Sequence, residues 1–77
     1  MKSNKESYLL KEASARFTQR EREILKLMVR GKTNQEIAEE MIISINTAKA
    51  HVSSILYKLG VKDRVQAVVK AIRCNLL

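Results

Sequence analysis

Residues Thr33 to Gly60 read TNQEIAEEMIISINTAKAHVSSILYKLG. The stretch opens on a capping box: Thr33 offers its hydroxyl to an orphan helix amide, and Glu36, three residues on, returns a carboxylate. Ile37, Ala38 and Met41 then form a short buried stripe. Ile42 and Ile43 are expected to plug the gap before Ser44 caps a second helix, in a turn that contains no glycine. This second helix spans about Ile45 to Leu59, and Gly60 ends it. At about 100° per residue, Ile45, Ala48, Val52, Ile55, Leu56 and Leu59 share one narrow apolar face. The opposite side carries Asn46, Thr47, Ala50, Ser53, Ser54, Tyr57 and Lys58, with Lys49 and His51 on the flanks.

From Met41 to Lys62 there is no acidic residue, and Lys49, Lys58 and Lys62 are the fixed charges. Solvated helix faces usually carry Glu–Lys pairs. Short uncharged polar groups instead suit close approach to another surface, such as base edges and methyls. A short scaffold helix followed by a polar, acid-free one is the layout of a helix-turn-helix, whose second helix enters the major groove of DNA.

On the N-terminal side, Thr18 and Glu21 form another capping box. Ile24, Leu25, Leu27 and Met28 recur at helical spacing, and Gly31 supplies a left-handed residue after Arg30. Residues 1–15 are polar and weakly patterned apart from Tyr8, Leu9 and Leu10, and read as a flexible arm. On the C-terminal side, Asp63 caps a further helix of about residues 64–76, with Gln66 in the return position. This helix carries two apolar stripes. Val65, Val68, Val69, Ile72 and Leu76 are expected in the core. Ala67, Ala71 and Cys74, at i, i+4 and i+7, are expected on the far side as a contact between two copies, because small side chains let helices approach closely. The expected fold is all-α, with four helices in residues 16–77 and the helix-turn-helix at about 33–59.

The bulk composition fits. A chain of 77 residues makes one small domain, which buries only roughly 60% of its unfolded surface. Fifteen basic against eight acidic residues give a net charge of +7, a footprint suited to phosphates. The basic residues are spread through periodic segments, which favours a folded binder over a charged tail. No apolar stretch approaches the roughly 20 residues of a membrane span, and no secretory h-region precedes the first helix. One cysteine makes neither an internal disulfide nor a zinc site. These features point to a cytoplasmic protein without membrane contact.

Catalysis finds no support. His51, the single histidine, has no acid or cysteine at a suitable spacing, Glu21 is explained by its cap, and no phosphate-binding glycine loop is present. No catalytic residue, metal or cofactor is expected.

In FTQREREILKLMVRGKTNQEIAEEM, ISINTAKAHVSSILYKLGV and DRVQAVV, taken in that order, the chain resembles the LuxR/FixJ-type (NarL-like) helix-turn-helix domain of bacterial transcription regulators. The resemblance covers about Arg16 to Leu77 and implies a four-helix domain that binds double-stranded DNA as a homodimer. It places base reading on Lys49, Ala50 and Ser53, with Asn46 and Tyr57 beside them. DNA-backbone contacts fall on Thr33, Asn34, Thr47, His51 and Lys58, and the dimer contact on the last helix. Two departures stand out. Ala48 occupies a position where the family usually has valine, and Ser53 one where some members carry a longer basic residue. The short leading segment leaves two readings, a small stand-alone regulator, which the initiator methionine favours, and the C-terminal domain of a longer regulator. A rival reading is a protein-interaction module that docks to RNA polymerase or another regulator, with DNA binding secondary.

Overall fold

A computed structural model describes residues 17–76. The expected arm at residues 1–15 lies outside them. Four helices follow one another: α1 (Gln19–Val29), α2 (Asn34–Met41), α3 (Ile45–Leu59) and α4 (Arg64–Arg73).

Each helix starts where the sequence supplies an oxygen. Thr18, Thr33, Ser44 and Asp63 all accept the backbone N–H three residues on. The boxes at Thr18–Glu21 and Thr33–Glu36 are closed in both directions. At Asp63 the return differs from expectation: Gln66 Oε1 accepts the N–H of Lys62, one residue before the cap.

All four helices also end alike. A residue with positive φ follows each last turn: Gly31 (84°), Ile42 (55°), Gly60 (70°) and Asn75 (54°). In each case the next amide reaches back to a carbonyl five residues earlier, as in Lys32 to Leu27 and Ile43 to Ala38. Val61 to Leu56 and Leu76 to Ala71 repeat the pattern. This is the Schellman closure, for which glycine is the usual choice. Ile42 adopts it with a β-branched side chain that is 90% exposed. Only Ile43 packs against the core, so the expectation that both isoleucines plug the turn holds for Ile43 alone.

Helices α1 and α3 form the centre, each packing against the other three. Ile24, Leu25 and Met28 from α1 meet Ile37 from α2 and Ala48, Ile55 and Leu59 from α3, all essentially without solvent contact. The apolar face read for α3 is buried at Ala48, Val52, Ile55 and Leu59, whereas Ile45 at its start is 41% exposed.

The last helix is turned over relative to expectation. Ala67 and Ala71 are fully buried, while Val65 (70% exposed), Val69 (44%) and Ile72 (60%) face outward. Leu76 is buried as expected, and Val68 and Cys74 pack partly against the core. Two buried alanines cannot form a surface for a second copy, so the dimer contact assigned to Ala67 and Ala71 is wrong, and the half-buried Cys74 beside them faces the same core. The physical reason is distance. α4 lies against α1 and α3, and small side chains allow the close approach that fills the space between them, where larger ones would overpack it. Hydrophobicity alone ranks valine and isoleucine above alanine and so selects the wrong stripe.

Candidate nucleic-acid interface

The exposed surface of α3 collects the residues expected to read bases. Asn46, Lys49, Ala50, Ser53 and Tyr57 are all exposed, Tyr57 at 87%. At about 100° per residue they occupy one arc of roughly 100°, opposite the buried line of Ala48, Ile55 and Leu59. Ser44 holds the start of this helix. Its Oγ accepts the N–H of Thr47 at 3.0 Å and lies 2.9 Å from Thr47 Oγ1. With Ser44 as donor in that contact, the Thr47 hydroxyl can direct its own proton outward.

One flank of the arc is gripped from behind. Glu21 of α1 is 5% exposed. Its Oε1 accepts Lys58 Nζ at 2.7 Å and the Thr18 amide at 3.0 Å, and its Oε2 accepts Ser54 Oγ at 2.7 Å. Burial pushes this carboxyl upward, but the bonds from Lys58, Ser54 and Thr18, with the lysine's charge, outweigh it. They hold the group at about 2, below its ordinary 4.5. The Lys58 ammonium also sits 5.7 Å from the centre of the Phe17 ring. Lys58 therefore departs from the expected backbone contact: its charge is turned inward to orient α3. The sequence shows Glu21 only as a cap, because nothing in it brings residues 54 and 58 alongside residue 21.

A second group gathers at the start of α2. Lys32, Thr33, Asn34 and Gly31 line an open cleft of about 300 Å³, and Arg64 of α4 closes it. Arg64 donates to the Lys32 carbonyl at 2.5 Å and to Asn34 Oδ1 at 2.6 Å. The expected backbone residues Thr33 and Asn34 thus lie together on this cleft. Thr33 is exposed and Asn34 half-buried. His51 is half-buried on the flank of α3 that also carries Lys58. Arg64 and Lys32 were not singled out in the sequence. The contact between residues 34 and 64 spans thirty positions and two turns, and no periodicity signals it.

At the other end of α3, Lys70 donates to the Leu59 carbonyl at 3.0 Å, a cation placed at the negative end of the helix dipole. Helix α3 is thus held in its middle by α1 and at its end by α4. Among the described residues no cluster of three or more His, Cys, Asp or Glu side chains could hold a metal ion. No helix there is long and apolar enough to cross a membrane.

Two capped helices joined by a tight turn, the second exposing an acid-free polar face, define a helix-turn-helix DNA-binding domain. Residues 15–71 match the family described as bacterial regulatory proteins, luxR family, and the chain belongs to that family. The chain is 55% identical over 61 residues to the transcriptional regulatory protein LiaR of Bacillus subtilis. It is 54% identical over 61 residues to the response regulator protein VraR of Staphylococcus aureus. The family's domains and these relatives are DNA-binding regulators rather than enzymes, in agreement with the sequence reading. Each match covers 79% of this chain and 29% of the relative, so the chain spans less than a third of the length of these relatives.

Proposed function

We propose that this chain binds duplex DNA sequence-specifically as a homodimer in the cytoplasm and regulates transcription, with α3 seated in the major groove. The observation that carries this reading is the exposed, acid-free arc of Asn46, Lys49, Ala50, Ser53 and Tyr57. The major groove admits a helix, and its base edges offer partners for each of these side chains. Lys49 can donate to guanine O6 and N7, Asn46 can pair with adenine N6 and N7, and the Ala50 methyl can meet a thymine methyl. Thr33, Asn34, Thr47 and His51 suit phosphate oxygens, which position the protein without specifying sequence. The two curated relatives named above carry regulatory names, which accords with the same role.

The homodimer contact moves to the outer stripe of α4. Val65, Val69 and Ile72 lie at i, i+4 and i+7 and are exposed large apolar side chains on one helix face. A two-fold pairing uses one such patch twice. A dimer of this kind selects an inverted repeat with half-sites about one helical turn, roughly 34–36 Å, apart.

Selection of bound duplexes from a random library tests specificity, palindromy and spacing together. Recovery of one inverted repeat supports the reading, and equal recovery of all sequences at moderate salt sinks it. Docking to RNA polymerase as the main role predicts an empty gel shift with mixed duplex DNA, even at low salt.

A further inference from the structure

Arg64 stands at the first position of α4, thirty residues from Asn34, yet its guanidinium bridges two oxygens at the start of α2. We propose that Arg64 is a positioning residue that fixes which end of the Asn34 amide meets a DNA phosphate. The inference rests on the DNA-binding reading above and deepens it.

A guanidinium has N–H donors and no lone pair to accept with. The atom of Asn34 that faces it at 2.6 Å must therefore be the carbonyl Oδ1. The amide nitrogen then stands on the other side of the same carbon, turned from Arg64, on a residue that itself lines the cleft with Gly31, Lys32 and Thr33. It offers two N–H donors to whatever enters. A phosphate oxygen is an acceptor only, so this orientation is the productive one. An unrestrained asparagine amide turns readily about its terminal torsion, because its two ends are nearly equal in size. In the flipped state an acceptor would face an acceptor. The second bond, to the Lys32 carbonyl at 2.5 Å, ties the chain just before the Thr33 cap to α4. It holds the whole entry of α2 in register with the amide.

Lysine cannot replace this arginine. Its point charge lacks the planar fork that spans two acceptors at once. Arg64→Lys therefore keeps the charge and loses the orientation, which separates positioning from simple electrostatics.

The test measures binding of the 77-residue chain to a mixed-sequence duplex by fluorescence anisotropy across a salt series. It compares wild type, Asn34→Ala, Asn34→Asp, Arg64→Lys and the Asn34→Ala/Arg64→Lys double variant, each also melted thermally. The Asn34 amide is neutral, so losing its hydrogen bond to a phosphate lowers affinity by roughly tenfold at every salt and leaves the slope of log affinity against log salt unchanged. Asn34→Ala should show that loss. Arg64→Lys should approach it in the wild-type background and add nothing in the Asn34→Ala background. Asn34→Asp retains the bond to Arg64 and favours a helix start, so it should melt no lower than wild type while binding more weakly. Wild-type affinity in Asn34→Ala overturns the proposal. So does an Arg64→Lys loss that is equal in both backgrounds, or tight binding by Asn34→Asp. If wild type binds no duplex at low salt, the DNA reading falls and takes this role with it. If wild type binds and the two substitutions add independently, the positioning role alone is refuted.

Discussion

Glu21 closes the cap of α1 and grips Ser54 and Lys58 of α3 with the same carboxylate. Its folded pKa of about 2 lies below the ordinary 4.5, so folding favours its charged form. The resulting stability is present above pH 4.5 and disappears as the pH falls through about 2. At about 1.4 kcal/mol per unit, the linkage amounts to about 3 kcal/mol. Glu21→Gln should cost roughly 2–4 kcal/mol at neutral pH, because the half-buried Lys58 ammonium loses the opposite charge it faces at 2.7 Å. It should also flatten the dependence of stability on pH across the acid range. Urea unfolding followed by circular dichroism at pH 7 and pH 3 checks both; an unchanged acid slope in the variant would count against the linkage. Ile42 makes the opposite case. A left-handed conformation costs a residue with a Cβ roughly 1–2 kcal/mol, and at 90% exposure the side chain gains almost no burial in return. Glycine gives back roughly 0.5–1 kcal/mol in unfolded-state entropy. Ile42→Gly should therefore raise stability by about 0.5–1 kcal/mol in the same assay, and a less stable variant would show that Ile42 contributes something its exposure hides.

At the level of helices, the inverted α4 makes a paired prediction. Ala71→Leu adds volume to a site with no solvent contact and should lower stability by about 1–3 kcal/mol through overpacking. Val69→Asp lies on the outer stripe and should leave the melting of a dilute sample nearly unchanged while reducing self-association in sedimentation equilibrium. The reverse pattern would restore the valine stripe to the core. The contrast also shows what a sequence can disclose. Helix starts were legible at Thr18, Thr33, Ser44 and Asp63, because capping is a local contact within three residues. The burial of α3 was legible because one of its sides is apolar and the other is not. α4 is apolar on both sides, so periodicity gave its stripes but not their order, which depends on how closely α1 and α3 approach. The contacts of Glu21 with Ser54 and of Arg64 with Asn34 were not legible. Each joins residues more than thirty or about thirty positions apart, and only the packed fold brings them together. The inward turn of Lys58 follows from the same blindness, since a lysine on the polar side of a helix reads as a phosphate contact until the buried carboxylate beneath it is seen.

Taken whole, the molecule carries its reading arc on α3, its cleft at the start of α2 and its outer apolar stripe on α4. Lys49 is the exposed cation within the arc. Lys49→Ala should cost about 1–3 kcal/mol of discrimination against a changed base if the lysine meets guanine. Anisotropy titrations against the selected site and single-base variants measure this, and a loss shared equally by every duplex would place Lys49 on phosphate instead. The orientation of α4 has one further consequence. Its alanines fill space inside a single subunit, so the described core closes within one copy, and folding and pairing are separate equilibria under the proposed dimer. Occupancy of a two-half-site operator then grows with the square of protein concentration while monomers predominate, and doubling the supply of chain raises occupancy about fourfold in that regime by mass action. The regulator would respond to its own abundance more steeply than a single-site binder can, with no change in the shape of either subunit.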